Sequence, residues 1–166
     1  MIVRRASGIT LAALALLAGV PAVARAQLRR TTIAREMRVD VLGGRPSSVQ
    51  GAAGVEIAAG NYVRVGVLAG VGPTVEQGST SRAAGRVDVL ARFLLDPFRQ
   101  SRWGFSAGAG VSVRADPGDR VRPRLLAALD LEGRRWGNGL SPALQIGLGG
   151  GVRAGIGLRR SGRTAR

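Results

Sequence analysis

The feature that most constrains this chain is an alternation of apolar and polar residues that recurs in eight short segments. Residues 63–71, VRVGVLAGV, show it well, because valine or alanine occupies every second position. Successive side chains of a β-strand point to opposite faces, so a period of two predicts strands with one apolar face. The eight predicted strands cover residues 36–42, 49–59, 63–71, 86–95, 103–114, 122–132, 144–148 and 152–159. The alternative is that residues 142–158 form one strand with a glycine bulge. Seven strands would then remain, and an antiparallel sheet with an odd number of strands does not close simply.

An apolar segment precedes the alternating region. Two arginines stand within the first five residues, residues 6–23 are largely apolar, and Ala24 and Ala26 place small residues where a signal peptidase reads them. This is typical of a cleavable export signal, with Gln27 as the mature N-terminus. An uncleaved anchor is less favoured because the uninterrupted apolar core is short and ends in Pro21. The predicted organisation is a signal peptide at 1–26, a β-barrel domain at 27–160 and a basic tail at 161–166.

The two faces of the predicted strands differ in both size and charge. One face holds Gly, Ala and Ser with interspersed Arg, Asp and Glu, and the other holds Val, Leu, Ile, Ala and Phe without a charge in the strand centres. An eight-stranded barrel has room inside only for side chains, so small residues and paired charges belong there. The pattern therefore predicts an all-β fold, a closed up-and-down antiparallel barrel of about eight strands that is transmembrane. The alternative is a soluble β-protein whose apolar face packs inside a sandwich.

The inward-facing charged residues form two predicted groups. A lumen charge network of mixed sign comprises Glu56, Arg64, Asp88, Arg92, Asp130 and Glu132. A basic outer mouth comprises Arg86, Arg114, Arg122, Arg124 and Arg153. An arginine excess at the mouth could hold an acidic ligand or lipopolysaccharide phosphates. A solvated rim balanced by the loop acids Glu76, Asp116 and Asp119 is the favoured interpretation.

All six aromatic residues fall in or beside the loops at one end of the predicted barrel. Loops alternate between the two ends, so 60–62, 96–102 and 133–141 share one end, whereas 43–48, 72–83, 115–121 and 149–151 share the other. Aromatic residues concentrate at the boundary between lipid and water. The sequence therefore predicts an aromatic girdle at one boundary, made by Tyr62, Phe93, Phe98, Trp103, Phe105 and Trp136.

An export signal followed by eight amphipathic strands resembles the small outer-membrane β-barrel families of Gram-negative bacteria. The segments RFLLDPFRQSRWGFSAGAG at 92–110 and GGGVRAGIGLR at 149–159 are similar to such barrels, and the resemblance covers nearly all of the mature chain. It implies a location in the outer membrane, with the N-terminus and the aromatic girdle on the periplasmic side. The implied partners are outer-membrane lipids and the barrel assembly machinery, and we expect a monomer. Many such proteins end in an aromatic residue that this machinery recognises, whereas this chain continues past Leu158 into RRSGRTAR.

Catalytic and nucleic-acid-binding patterns are missing from the sequence. It contains no His and no Cys, which removes Ser/His hydrolysis, thiolate metal sites and disulfides. All 25 basic residues are arginines, but they are spread singly rather than clustered with aromatics, which argues against nucleic acid as a partner despite the net charge of +15. We predict no enzyme, no metal and no cofactor, and a structural, adhesive or surface-binding role. Narrow-pore transport is disfavoured because the lumen should be filled, and the alternative function is binding of a small apolar or acidic ligand by a soluble periplasmic or secreted protein.

Overall fold

The computed structural model describes residues 33–75, 81–98, 100–115 and 121–161, without the side chain of Arg122. These residues belong to one compact unit, Thr32–Arg166. The predicted signal peptide, nearly all of the predicted tail and the loop acids Glu76, Asp116 and Asp119 lie outside the described residues. Within the described ranges, no helix is long and apolar enough to cross a membrane.

Eight antiparallel strands close into a single barrel, in which each strand pairs with its neighbours in the chain and the last pairs with the first. The predicted closed barrel is confirmed. The glycines at 149–151 separate the last two strands, with Gly150 and Gly151 at φ of 78° and 151°, a region that favours glycine. The count is therefore eight and not seven. The strands are β1 (Ile33–Leu42), β2 (Ser47–Ala58), β3 (Val63–Val75), β4 (Ala83–Leu94), β5 (Gly104–Ala115), β6 (Arg122–Glu132), β7 (Leu140–Leu148) and β8 (Val152–Ser161).

Four strands begin earlier than the sequence pattern predicts. β2 begins at Ser47 rather than at residue 49, and β4 begins at Ala83 rather than at residue 86. β1 begins at Ile33 rather than at residue 36, and β7 begins at Leu140 rather than at residue 144. The alternation did not predict the first residues of β1, because Arg35 is a charged residue on the apolar face. It did not predict the first residues of β7, because Pro142 interrupts the pattern there. Both segments are strands because the pairing continues through them, and Arg160 lies opposite Arg35 on one side and Leu140 on the other.

Alternation separates an inward face from an outward face around the whole barrel. On β1 every second residue from Ala34 to Leu42 is buried, and each residue between is exposed. The outward face is a belt of exposed aliphatic side chains, for example Val67, Val89 and Leu129. This is the reverse of a water-soluble barrel, which places apolar residues inside and charges outside.

Long side chains from some strands fill the interior. They occupy the space beside strands whose inward residues are small. On β5 the inward positions include Gly108, where an added Cβ would lie 3.1 Å from Cγ of Arg92 and 3.2 Å from Cδ1 of Leu90. Leu90 and Leu126 are buried in the interior with Ala128. The small residues of β5 therefore make room for the leucine and arginine that β4 directs inward.

Candidate functional site

Twelve charged side chains inside the barrel form one connected network of ion pairs, which we call the interior network. Six are carboxylates and six are arginines, so the formal charges cancel. All six predicted members of the lumen charge network lie within it. The interior network comprises Glu36, Asp40, Glu56, Asp88, Asp130, Glu132, Arg38, Arg64, Arg86, Arg92, Arg153 and Arg159.

Arg159 occupies the centre of one half of the interior network. Its guanidinium nitrogens lie 3.3 Å from Glu36, 3.4 Å from Glu56, 3.5 Å from Asp130 and 3.1 Å from Glu132. The residue is only 1% exposed. Barrel closure creates this cluster, because the pairing of β8 with β1 sets Arg159 directly opposite Glu36.

Two more arginines serve the same four carboxylates. Arg92 is ion-paired with Glu56, and its nitrogens lie 3.1 Å from Asp130 and 3.5 Å from Glu36. Arg64 is partly exposed and lies 3.4 Å from Glu132 and 3.8 Å from Glu56. Each carboxylate in this half therefore has two or more arginine partners.

The other half of the interior network is built around Asp40 and Asp88. Arg86 is ion-paired with Asp40 and lies 3.2 Å from Asp88, and Arg153 lies 3.0 Å from Asp88. Arg38 approaches Asp40 at 2.8 Å and also lies 3.5 Å from Glu36, so it bridges the two halves.

Two neutral side chains add hydrogen bonds to the interior network. The Gln145 side-chain oxygen accepts hydrogen bonds from Arg38 at 2.6 Å and from Arg153 at 2.8 Å, and its amide donates to Asp130 at 2.9 Å. Ser112 donates to Asp88 at 2.6 Å. Within the described residues, no group of carboxylates is arranged to hold a metal ion. The described part of the interior therefore presents paired charges.

The structure does not assemble the five arginines of the predicted basic outer mouth into one group. Arg86 and Arg153 are each 3% exposed and ion-paired inside the barrel, so their assignment to the mouth is wrong. Arg114 donates to the Pro46 carbonyl at 2.8 Å, and the exposed Arg124 donates to the Gly150 carbonyl at 2.9 Å. The side chain of Arg122 lies outside the described residues. The positive charge of Arg86 is balanced by Asp88, two residues further along β4, and by Asp40, which barrel closure brings beside it from β1.

Sequence reasoning left out four charged members of the interior network, Glu36, Arg38, Asp40 and Arg159, and its two neutral supporters, Gln145 and Ser112. Glu36, Arg38 and Asp40 alternate on one face of β1, and this spacing was a usable signal. Arg159 and Gln145 also follow the alternation of their strands, but their contacts could not be predicted, because their partners come from strands that are distant in the sequence.

The six aromatic residues lie in or beside the turns at one end, which we call the aromatic end. The described chain also starts and stops there, at Ile33 and Ser161. The rings of Tyr62 and Phe93 stack with centroids 5.9 Å apart, and Phe98 meets Tyr62 edge-on at 6.2 Å. Each of the six predicted girdle residues is about half exposed, at 47–65%. The opposite end, which carries loops such as 43–46 and 149–151, is called the loop end.

Two solved outer-membrane proteins share this architecture. The N-terminal β-barrel domain of OprF from Pseudomonas aeruginosa aligns with a TM-score of 0.56 and 10% identity, over 79% of this chain and 97% of that one. The chain has the fold of the small outer-membrane β-barrels. Neisserial surface protein A, NspA, aligns with a TM-score of 0.54 and 14% identity, over 80% of this chain and 97% of that one. No protein-family model matches the sequence, and no curated protein shows significant similarity to it.

Proposed function

We propose that this protein is an integral outer-membrane barrel with a closed lumen and a structural or surface-binding role, and that it is not a diffusion pore. The observation that carries the proposal is the division of charge between the two faces. The interior network is neutral and buried, whereas the centres of the described strands present only apolar residues outward. A belt of this kind suits the hydrocarbon core of a bilayer.

The small volume of one interior cavity supports a closed lumen. A cavity beside the interior network, lined by Leu68, Leu90 and Arg92 among others, has a volume of about 10 Å³. This is roughly the space of a single water molecule. Water-filled porins need about 16 to 18 strands, whereas an interior of eight is just wide enough for its own side chains.

The aromatic end supports an orientation in the membrane. The start of β1, the end of β8 and the three aromatic turns share this end, and both termini of outer-membrane barrels lie in the periplasm when the strand number is even. The aromatic residues would then mark the periplasmic boundary. Any surface-binding role would fall to the loop end, where Arg114 and Arg124 could meet lipopolysaccharide phosphates.

Membrane fractionation combined with a heat-modifiability gel tests the proposed function. The protein should be recovered with the outer membrane, and its unboiled form should migrate differently from its boiled form in detergent, because a closed barrel resists unfolding until it is heated. A soluble variant of the same length with its strand residues scrambled provides the control for migration. Recovery in the soluble periplasmic fraction would instead favour the alternative, a soluble β-protein that binds a small ligand.

An ion-leak assay tests the closed lumen. Vesicles that contain the wild-type barrel should hold a potassium gradient, because Leu90, Leu126 and the interior network fill the interior. The double variant Leu90→Ala/Leu126→Ala should leak faster, since truncation of buried leucines leaves cavities. The matched control is Leu125→Ala/Leu129→Ala, which removes the same atoms from the outward face. Steady leak through the wild-type barrel would contradict the proposal.

A further inference from the structure

Two arginines break the apolar pattern of the outward face. Among strand residues whose side chains are described, Arg35 of β1 and Arg160 of β8 are the charged residues that point outward, and they lie directly opposite each other in the β1–β8 ladder. Both are exposed and both lie at the aromatic end. A groove at this end is lined by both arginines, by Trp136 and by Arg135, which comes from the turn between β6 and β7. We call Arg35, Arg135, Arg160 and Trp136 the rim cluster.

The rim cluster has no anionic partner among the described residues. Six of the seven acidic residues in the described ranges belong to the interior network. The seventh, Asp96, lies in the turn between β4 and β5, where it accepts hydrogen bonds from the backbone amides of Gln100 and Ser101. Like charges that face each other across a strand pair are destabilising. An anion from outside the chain would remove this repulsion.

The position of the rim cluster identifies the kind of anion. An arginine on the outward face is costly at the bilayer midplane but costs little near the interface, where phosphates lie. The guanidinium group binds phosphate oxygens in pairs, and an indole ring sits at the level of the lipid headgroups. Arg35 and Arg160 also border an outward apolar groove that continues past Met37, Leu144 and Leu158. A phosphate held by the arginines would place its acyl chains along this groove.

We propose that the rim cluster binds the phosphate of an anionic phospholipid in the leaflet at the aromatic end. The inference rests on the proposed function, because it requires the outward face to contact lipid. A lipid fits better than free phosphate, since the phosphate site and the apolar groove share Arg35 and Arg160. The bound lipid would neutralise the opposed arginines and fix the height of the barrel in the membrane.

Fluorescence quenching by brominated lipids tests the proposal. The protein has two tryptophans, so Trp103→Phe leaves Trp136 as the reporter. This variant is folded into vesicles that mix phosphatidylcholine with phosphatidylglycerol, and bromine is carried on the acyl chains of one lipid or the other. We expect brominated phosphatidylglycerol to associate about fivefold more strongly than brominated phosphatidylcholine, the factor that one arginine contributes at an anionic surface. Adding Arg35→Gln/Arg135→Gln/Arg160→Gln should remove the preference.

A matched variant separates the rim cluster from general attraction by the positive chain. Arg45→Gln/Arg82→Gln/Arg124→Gln removes the same charge from exposed positions at the loop end and should keep the preference. If both variants lose the preference for phosphatidylglycerol equally, the proposal is overturned. Relief of quenching by inorganic phosphate also overturns it, because a soluble anion would then be the ligand. A wild-type barrel that inserts, shows heat modifiability and lacks the lipid preference contradicts this inference alone. Failure of the wild-type barrel to insert contradicts the proposed function as well.

Discussion

Replacing Arg159 by methionine should lower the free energy of unfolding of the barrel by about 3–5 kcal/mol, the cost of removing one partner from a buried ion pair. Arg159 lies within 3.5 Å of four carboxylates, Glu36, Glu56, Asp130 and Glu132. Methionine fills much of the same volume but offers no charge and no donor. The four carboxylates would then depend on Arg92, Arg64 and Arg38, and one negative charge in the interior would stay uncompensated.

Urea unfolding of the refolded barrel in zwitterionic detergent, followed by tryptophan fluorescence, measures this effect. Arg160→Met is a matched control, because the next residue of β8 loses the same group from the outward face, where it has no ion pair among the described residues. We expect the control to stay within about 0.5 kcal/mol of the wild type, as exposed substitutions usually do. If Arg159→Met unfolded at the same urea concentration as Arg160→Met, the interior network would not contribute to stability in the way the contacts indicate.

The sequence predicted the barrel well because its main signal is local. Alternation along a strand depends only on neighbouring residues, and the eight segments each carry it. The errors at Arg35 and Pro142 have a shared cause, since each residue violates the apolar pattern at the end of a strand that pairing with its neighbours maintains. If the outward face contacts lipid, as proposed, Arg35 lies near the membrane boundary, where a charge on the outward face is tolerated.

The interior network was less predictable because it depends on register between strands. The spacing of Glu36, Arg38 and Asp40 shows that they share a face, but it does not show which residues of β8 they meet. Closure supplies that information, for it sets Glu36 opposite Arg159 and Asp40 opposite Gly155. Gly155 leaves room for the Asp40 carboxylate, so the glycines and charges of these two strands fit together in a way that either segment alone does not reveal.

Replacing Val89 by arginine should destabilise the barrel in lipid vesicles by about 2–4 kcal/mol. Val89 lies near the middle of β4, points outward and is opposite Val67 and Val111 on the adjoining strands. If the outward face contacts lipid, this position is close to the hydrocarbon midplane, where a guanidinium has no water or phosphate to bind. The equilibrium stability in vesicles, measured by urea titration, should therefore fall without any change in the interior network.

Val75→Arg is the depth control for this prediction. Val75 also points outward, but it is the last residue of β3 at the loop end, so its cost should be only about 0–1 kcal/mol. The difference between the two variants is more informative than either value. A soluble barrel would leave both valines facing water, since they are 47% and 60% exposed, and arginine would then be tolerated at both positions. Equal, small effects at Val89 and Val75 would thus contradict the membrane-spanning assignment, whereas a cost that grows toward the strand centre requires a lipid environment of limited thickness around this belt.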